Sequence, residues 1–243
     1  MWKIGMEVSM SSDEYVFIAG EHGEKISALV SCPEQYDASN KPAVILAHGS
    51  GNDMFNPLLT HMAHLLEHAG HLCLRFNFPY RDKGKKSPDS DDVLTSTWIS
   101  VYQYLTGHPT YMPGMVVAAG KSLGGRIASQ AAAAGYIDPD GLIFLGYPLH
   151  PPGKKDVVRD AHLHRITVPM LFFSGTHDPF CSGEVLKDVL SRIRSPWTLE
   201  MIQGGDHSFR MPAGSAMTEE EVYAGILGKT LSWLEKLGRE GET

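Results

Sequence analysis

Near the middle of the chain the sequence runs Gly114-Met115-Val116-Val117-Ala118-Ala119-Gly120-Lys121-Ser122-Leu123-Gly124-Gly125-Arg126. The apolar run over residues 114–119 predicts a buried strand, and the alanine-rich residues 128–134 predict the body of a helix. Between them, Gly120, Ser122 and Gly124 form the pattern Gly-x-Ser-x-Gly. Glycine at both positions indicates a turn too tight for side chains, the nucleophile elbow that presents a serine at the end of a strand.

Apolar runs bounded by turn residues alternate with stretches of helical spacing on both sides of this turn. Strands are expected over residues 15–18, 25–32, 42–47, 71–78, 141–147, 169–174 and 197–202, and helices over 57–69, 91–106, 183–193 and 218–237. A meander followed by parallel strands joined by helices predicts an α/β fold with one mostly parallel sheet covered on both faces. We expect a single domain over residues 1–243, with its core at about 14–237 and a frayed end from Gly238.

The composition disfavours several classes of partner. A formal charge of −7, from 21 basic and 28 acidic residues, repels nucleic acid and anionic lipid.

The three cysteines, Cys32, Cys73 and Cys181, include no Cys-x-x-Cys pair, which favours free thiols in a reducing compartment. Residues 1–7 lack the apolar stretch of a secretory signal, and no run approaches the roughly 18 apolar residues of a membrane span. A cytoplasmic protein is expected, with its oligomeric state left open.

Two later loops supply the groups that a serine nucleophile needs. Serine is a weak nucleophile unless a histidine takes its proton, and an acid must orient that histidine. Asp178 follows the strand at 169–174, and His207 follows the strand at 197–202, in the order serine, acid, histidine that this elbow implies. All three side chains are therefore expected at one edge of the sheet. Asp206 is the alternative acid, although sequence neighbours rarely orient each other's side chains.

The negative charge that develops during attack on a carbonyl requires hydrogen-bond donors. The loop after the strand at 42–47, His48-Gly49-Ser50-Gly51, can present a backbone N–H beside the elbow. We assign this oxyanion hole to the N–H groups of Ser50 and Leu123. His48 is expected to brace the loop by hydrogen bonding and not to transfer protons.

Rival motifs fit the same residues less well. A phosphate-binding loop ending at Gly120-Lys121-Ser122 would need glycine at position 115, and a dinucleotide fingerprint opening at Gly49-Ser50-Gly51 would need glycine at position 54; both positions are methionine. His61, His64, His68 and His71 could form a metal site or a histidine-rich solvent face of a helix. The solvent face is the commoner arrangement, so the sequence predicts neither a metal nor a cofactor.

The loops at the same edge of the sheet are expected to form the substrate pocket. Its predicted contacts are Tyr147, Pro148, His150, Phe180 and Tyr80. The connection over residues 148–168 is too short for a large helical cap, which favours an open pocket and small acyl groups. Arg81 is a candidate for binding a substrate carboxylate, although a solvated loop charge is the simpler interpretation. Cys181 is expected near the site, where thiol reagents could reach it.

With the elbow, the acid, the histidine and the loop at 48–51 in place, the chain resembles the α/β-hydrolase superfamily over about residues 14–237. Residues 74–76, 147–150, 159–165 and 169–178 resemble the testis-expressed protein 30 family, which is similar to the dienelactone hydrolases and to a larger relative in a histone-acetylating complex. The resemblance implies the α/β-hydrolase fold and a serine-hydrolase site. Ser122 stands where dienelactone hydrolases use cysteine, which puts their lactone substrate in doubt.

The leading hypothesis is a serine hydrolase, carboxylesterase-like, that cleaves a small ester or thioester through an acyl-enzyme. Its partner would be a small-molecule acyl substrate. One alternative is a peptidase for small peptides. Another is a non-catalytic interaction module on the same fold, although binding alone requires neither Ser122 nor His207.

Overall fold

The computed structural model describes residues 13–21, 23–151 and 153–240 and contains an eight-stranded sheet. The strands are β1 (Glu14–Ala19), β2 (Lys25–Ser31), β3 (Ala43–Ala47), β4 (Cys73–Phe76), β5 (Val116–Lys121), β6 (Gly141–Leu145), β7 (Met170–Gly175) and β8 (Trp197–Ile202). The helices are α1 (Pro57–His68), α2 (Pro79–Asp82), α3 (Asp91–Thr106), α4 (Leu123–Ala133), α5 (Gly183–Ser191) and α6 (Glu219–Glu240), with a 3-10 helix over Leu163–Arg165.

The strands lie in the order β1-β2-β4-β3-β5-β6-β7-β8. The first two junctions, β1 with β2 and β2 with β4, are antiparallel, and the remaining junctions are parallel. The α/β class and the mostly parallel sheet are therefore confirmed. The expected meander is wrong, because β4 lies between β2 and β3. All five residues of β3 are buried, and such a strand is stable in the interior of a parallel sheet.

Two apolar layers cover the sheet. One layer packs α3, α4 and α5 through residues such as Trp98, Ile127 and Leu186, and the other packs α1 and α6 through Leu59 and Ile226. Helices on both faces force the central strands to be apolar throughout, which explains their continuous hydrophobic runs.

The predicted helices and strands all form. The bounds of α3 and β8 are those expected, and the other elements have shifted ends. The strand expected at 71–78 is shortened to β4, and the strand expected at 114–119 extends to Lys121 as β5. Two short elements, α2 and the 3-10 helix, were not predicted. Helix α6 continues through Gly238 to Glu240, where a frayed end was expected, and residues 241–243 lie outside the described residues. The amino-terminal segment that bears on a secretory signal lies outside the described residues. Within the described residues, no helix is both long and apolar enough to cross a membrane.

The turn from β5 into α4 is closed by direct backbone contact. A Cβ added at Gly120 would lie 2.3 Å from the backbone nitrogen of Gly125, and one added at Gly124 would lie 2.7 Å from the carbonyl oxygens of Ala47 and His48. The indole N–H of Trp98 also donates to the carbonyl of Gly124, at 3.1 Å. Only glycine fits at positions 120 and 124, so the pattern Gly-x-Ser-x-Gly follows from packing.

Replacing Gly120 by alanine is expected to lower the free energy of unfolding by about 2–3 kcal/mol, because the clash is with backbone that cannot move aside cheaply. Gly225→Ala in α6 is the matched control, since a Cβ there meets nothing within 4 Å. The control should gain up to about 1 kcal/mol from helix propensity. Urea unfolding followed by circular dichroism measures both, and equal stability of the two variants would contradict this account of the turn.

Candidate active site

Ser122 occupies the turn between β5 and α4 in a strained conformation. Its φ is +49° and its ψ is −113°, values that side-chain-bearing residues rarely adopt. Its backbone N–H donates to the carbonyl of Leu145 on β6, at 3.2 Å. The turn thereby holds the serine at the carboxyl end of the sheet and at the amino end of α4, where the helix dipole favours negative charge.

His207 and Asp178 form a hydrogen-bonded chain with this serine. The Nε2 atom of His207 lies 2.8 Å from Oγ of Ser122, and Nδ1 lies 2.7 Å from Oδ2 of Asp178. Because an ionised carboxylate can only accept, Nδ1 of His207 carries the proton and Nε2 is free to accept one from the serine. The Asp178 side chain is fully buried, and its Oδ1 accepts the N–H of Phe180 at 2.8 Å.

The loops that carry the acid and the histidine are packed against each other. A Cβ added at Gly175 would lie 2.2 Å from the carbonyl oxygen of Gly205, and the N–H of His177 donates to that oxygen at 2.9 Å. The alternative acid, Asp206, faces its own turn and accepts the N–H groups of Ser208 and Arg210 at 2.7 and 2.9 Å. Asp178 is therefore the carboxylate that orients the histidine in this arrangement.

Two backbone N–H groups beside the serine are available as donors. Within the described residues, the N–H groups of Ser50 and Leu123 donate to no protein acceptor. The loop after β3 lies close to the elbow, since a Cβ added at Gly49 would be 3.4 Å from Cβ of Ser122. These are the two donors that the sequence assigns to the oxyanion hole, and that assignment stays a prediction.

His48 joins the loop after β3 to the loop after β4. Its Nδ1 lies 2.8 Å from the carbonyl of Gly49, and its Nε2 accepts the N–H of Phe78 at 3.1 Å. These contacts require one neutral tautomer, and burial lowers the pKa of His48 to about 4. Both ring nitrogens are thus occupied by the brace, and neither is free for proton transfer.

A cavity of about 190 Å³ opens beside the serine. It is lined by Ser122, Leu123, Arg126, Pro148, His150, Pro151, Arg159 and Phe180. The ring of Phe180 also packs against that of His207, with centroids 4.5 Å apart. Pro148, His150 and Phe180 thus lie where the sequence places substrate contacts, whereas their binding to substrate stays a prediction.

Tyr147 and Tyr80 lie elsewhere and do not line this cavity. Tyr147 is buried, and its hydroxyl lies 2.9 Å from Nε2 of His162. Tyr80 is buried against the rings of His48 and Phe78. Residues that follow a strand can still turn into the core. Their position in the sequence does not show whether the side chain enters the pocket or the core.

Arg81 and Cys181, the two further candidates from the sequence, form no part of the cavity lining. Arg81 donates to Asp53 at 3.3 Å and to the carbonyl of Lys85 at 3.0 Å, and it does not line the cavity beside Ser122. Cys181 is buried, and burial raises the pKa of its thiol to about 12, which argues against reactivity toward thiol reagents. The part of the chain that the structure describes holds no cluster of three or more His, Cys, Asp or Glu side chains suited to a metal ion.

Three charged residues of the site were not assigned from sequence. Arg126 lines the cavity and donates to both carboxylate oxygens of Asp91, at 3.0 and 3.1 Å. Arg159 lines it too, is exposed and forms no ion pair among the described residues. Lys121, between the elbow glycine and the serine, is buried and donates to the backbone carbonyl of His207. The sequence does offer a signal for Lys121, because a lysine at the end of an apolar strand is unusual. It offers none for Arg159, which lies in an irregular segment without hydrophobic periodicity.

Comparison with known proteins identifies the family. Residues 40–235 match a family described as an alpha/beta hydrolase domain, and the chain belongs to that family. Solved structures share its fold, a dienelactone hydrolase among them. The dienelactone hydrolase from Anabaena variabilis is 20% identical, with a TM-score of 0.69 over 92% of this chain and 96% of that one.

Two further solved structures share the fold. An alpha/beta serine hydrolase without a lid from Xanthomonas campestris is 21% identical, with a TM-score of 0.68 over 94% of each chain. Est1E from Butyrivibrio proteoclasticus, with ferulic acid bound, is 17% identical, with a TM-score of 0.72 over 89% of this chain and 98% of that one. At these identities the similarity shows a common fold.

Proposed function

We propose that this protein is a serine hydrolase that cleaves small esters or thioesters through an acyl-enzyme, with Ser122 as nucleophile. One observation carries the proposal: Nε2 of His207 lies 2.8 Å from Oγ of Ser122 while its Nδ1 is held by the buried carboxylate of Asp178. A histidine so oriented can take the serine proton as the hydroxyl attacks a carbonyl. A binding module would gain nothing from this arrangement.

The proposed reaction has two halves. In the first, Oγ of Ser122 attacks the acyl carbon, its proton passes to Nε2 of His207, and the leaving alcohol or thiol departs with that proton. In the second, water attacks the acyl-enzyme, gives its proton to His207, and releases the acid as the proton returns to Ser122. The N–H groups of Ser50 and Leu123 would stabilise the tetrahedral oxyanion in each half, each worth roughly 3 kcal/mol.

The cavity beside Ser122 supports small substrates. Its volume of about 190 Å³ suits a short acyl or leaving group. Among the described residues of the connection from β6 to β7, the only helix is the 3-10 helix over Leu163–Arg165. A hydrolase without a lid is a precedent among the structural relatives. We therefore propose carboxylesterase-like activity on short chains in an open site.

We place this activity in the cytoplasm, with a small-molecule acyl substrate. Cys32, Cys73 and Cys181 are free thiols, which suits a reducing compartment. The net charge of −7 opposes binding to nucleic acid or to an anionic lipid surface. Positive charge near the nucleophile is local, from Arg126 and Arg159.

Replacing Asp178 by asparagine is expected to lower kcat for 4-nitrophenyl acetate by about 10⁴-fold, because the amide favours the wrong histidine tautomer. Asp206→Asn is the matched control, since the asparagine oxygen can still accept the N–H groups of Ser208 and Arg210. Steady-state kinetics distinguishes the two. A small effect of Asp178→Asn, or a comparable loss in Asp206→Asn, would contradict the assigned roles.

The arginines predict a preference for esters that carry a carboxylate. The hydrogen bonds and charge of Arg126, with the charge of Arg159, hold the pKa of Asp91 below its usual value, so Asp91 offsets part of the positive charge. Two arginines line the cavity against this one carboxylate, which leaves a net positive charge there. Arg159→Gln should lower the ratio of kcat/KM for 4-acetoxybenzoate to that for its methyl ester roughly tenfold. Lys155→Gln, exposed on the same segment and outside the cavity, should leave the ratio unchanged. An unchanged ratio in Arg159→Gln would exclude this subsite.

A further inference from the structure

Lys121 is a buried lysine that the proposed chemistry does not use directly. Only 5% of its surface is exposed, although it directly precedes the nucleophile. Its aliphatic chain passes beside Gly49, and its ammonium donates to the backbone carbonyl of His207. At Gly146, an added Cβ would lie 3.2 Å from Nζ of Lys121 and 2.8 Å from that carbonyl oxygen. One side chain thus connects the strand of the nucleophile to the loop of the histidine.

Besides connecting the two elements, the ammonium of Lys121 lies among charged groups of the site. It interacts with Asp178 from the loop after β7 and with Asp206 and Arg210 from the loop after β8. Burial lowers the pKa of Lys121 to about 8, and the two carboxylates oppose that shift. Lys121 is therefore mostly charged at neutral pH. The Asp178 side chain is fully buried, and a nearby cation reduces the cost of burying a carboxylate.

We propose that Lys121 is a positioning residue for the hydrolysis: its ammonium fixes the carbonyl of His207 and provides the positive charge that balances Asp178. It contacts no reacting atom and acts through those two residues. The proposal rests on the serine-hydrolase function proposed above. Because Lys121 is charged below its pKa, its contribution should be present at neutral pH and lost as the pH rises through about 8.

The test is the pH dependence of kcat/KM for 4-nitrophenyl acetate, from neutral pH to about pH 10, after subtraction of the rate of Ser122→Ala. Wild type should lose activity as the pH rises through about 8. Lys121→Met, which lacks both donor and charge, should be at least tenfold slower at neutral pH and should not show this decline. Lys121→Gln retains a donor without charge, so it should be intermediate in rate and also lack the decline. The exposed Lys187→Met is the control and should follow the wild-type profile.

Two pH profiles would overturn the role of Lys121, even when turnover depends on Ser122. One is a wild-type kcat/KM that stays flat through pH 8, and the other is a decline of kcat/KM that persists unchanged in Lys121→Gln. A folded Lys121→Met variant that keeps the wild-type rate also overturns the role of Lys121. If Lys121→Met does not fold, as judged by circular dichroism, Lys121→Gln and the wild-type profile give the answer. Wild-type turnover no faster than that of Ser122→Ala would instead refute the proposed hydrolase function, and this inference with it.

Discussion

The contact between Gly120 and Gly125 is the constraint on which the rest of the site depends. With less than 3 Å between an added Cβ at Gly120 and the backbone of α4, the chain can leave β5 and enter the helix only through a strained serine. That geometry places Oγ of Ser122 within hydrogen-bond distance of His207 and leaves the N–H of Leu123 without an acceptor among the described residues. Backbone strain of this kind persists only where the surrounding structure holds it, and here the close packing of β5 against α4 does so.

Parallel topology brings the remaining groups to this point. The loops after β3, β7 and β8 all leave the sheet at the carboxyl edge, so residues 48–51, Asp178 and His207 can meet although they are distant in the sequence. Close packing then fixes their relative positions, most clearly where Gly175 contacts the carbonyl of Gly205. Buried polar groups hold the assembly: His48 joins two loops as a neutral ring, and Lys121 joins the elbow to the histidine loop as a cation.

The sequence was most informative where chemistry and backbone geometry coincide. The elbow, Asp178 and His207 were predictable because each follows an apolar strand and their order fits one fold, and the structure brings them within hydrogen-bond distance. The place of β4 was not predictable, since strand pairing depends on tertiary packing and not on local pattern. The same holds for Tyr147 and Tyr80, which turn into the core, and for Arg159, whose position depends on an irregular segment.

The central claim is that Ser122 is a nucleophile activated by His207. The most direct measurement is covalent labelling with a fluorophosphonate probe, located by peptide mass spectrometry and timed in the wild type and in His207→Gln. The account predicts one adduct, on Ser122, forming far more slowly in the variant because the proton acceptor is missing. No adduct, an adduct on another residue, or equal rates in the two proteins would contradict it.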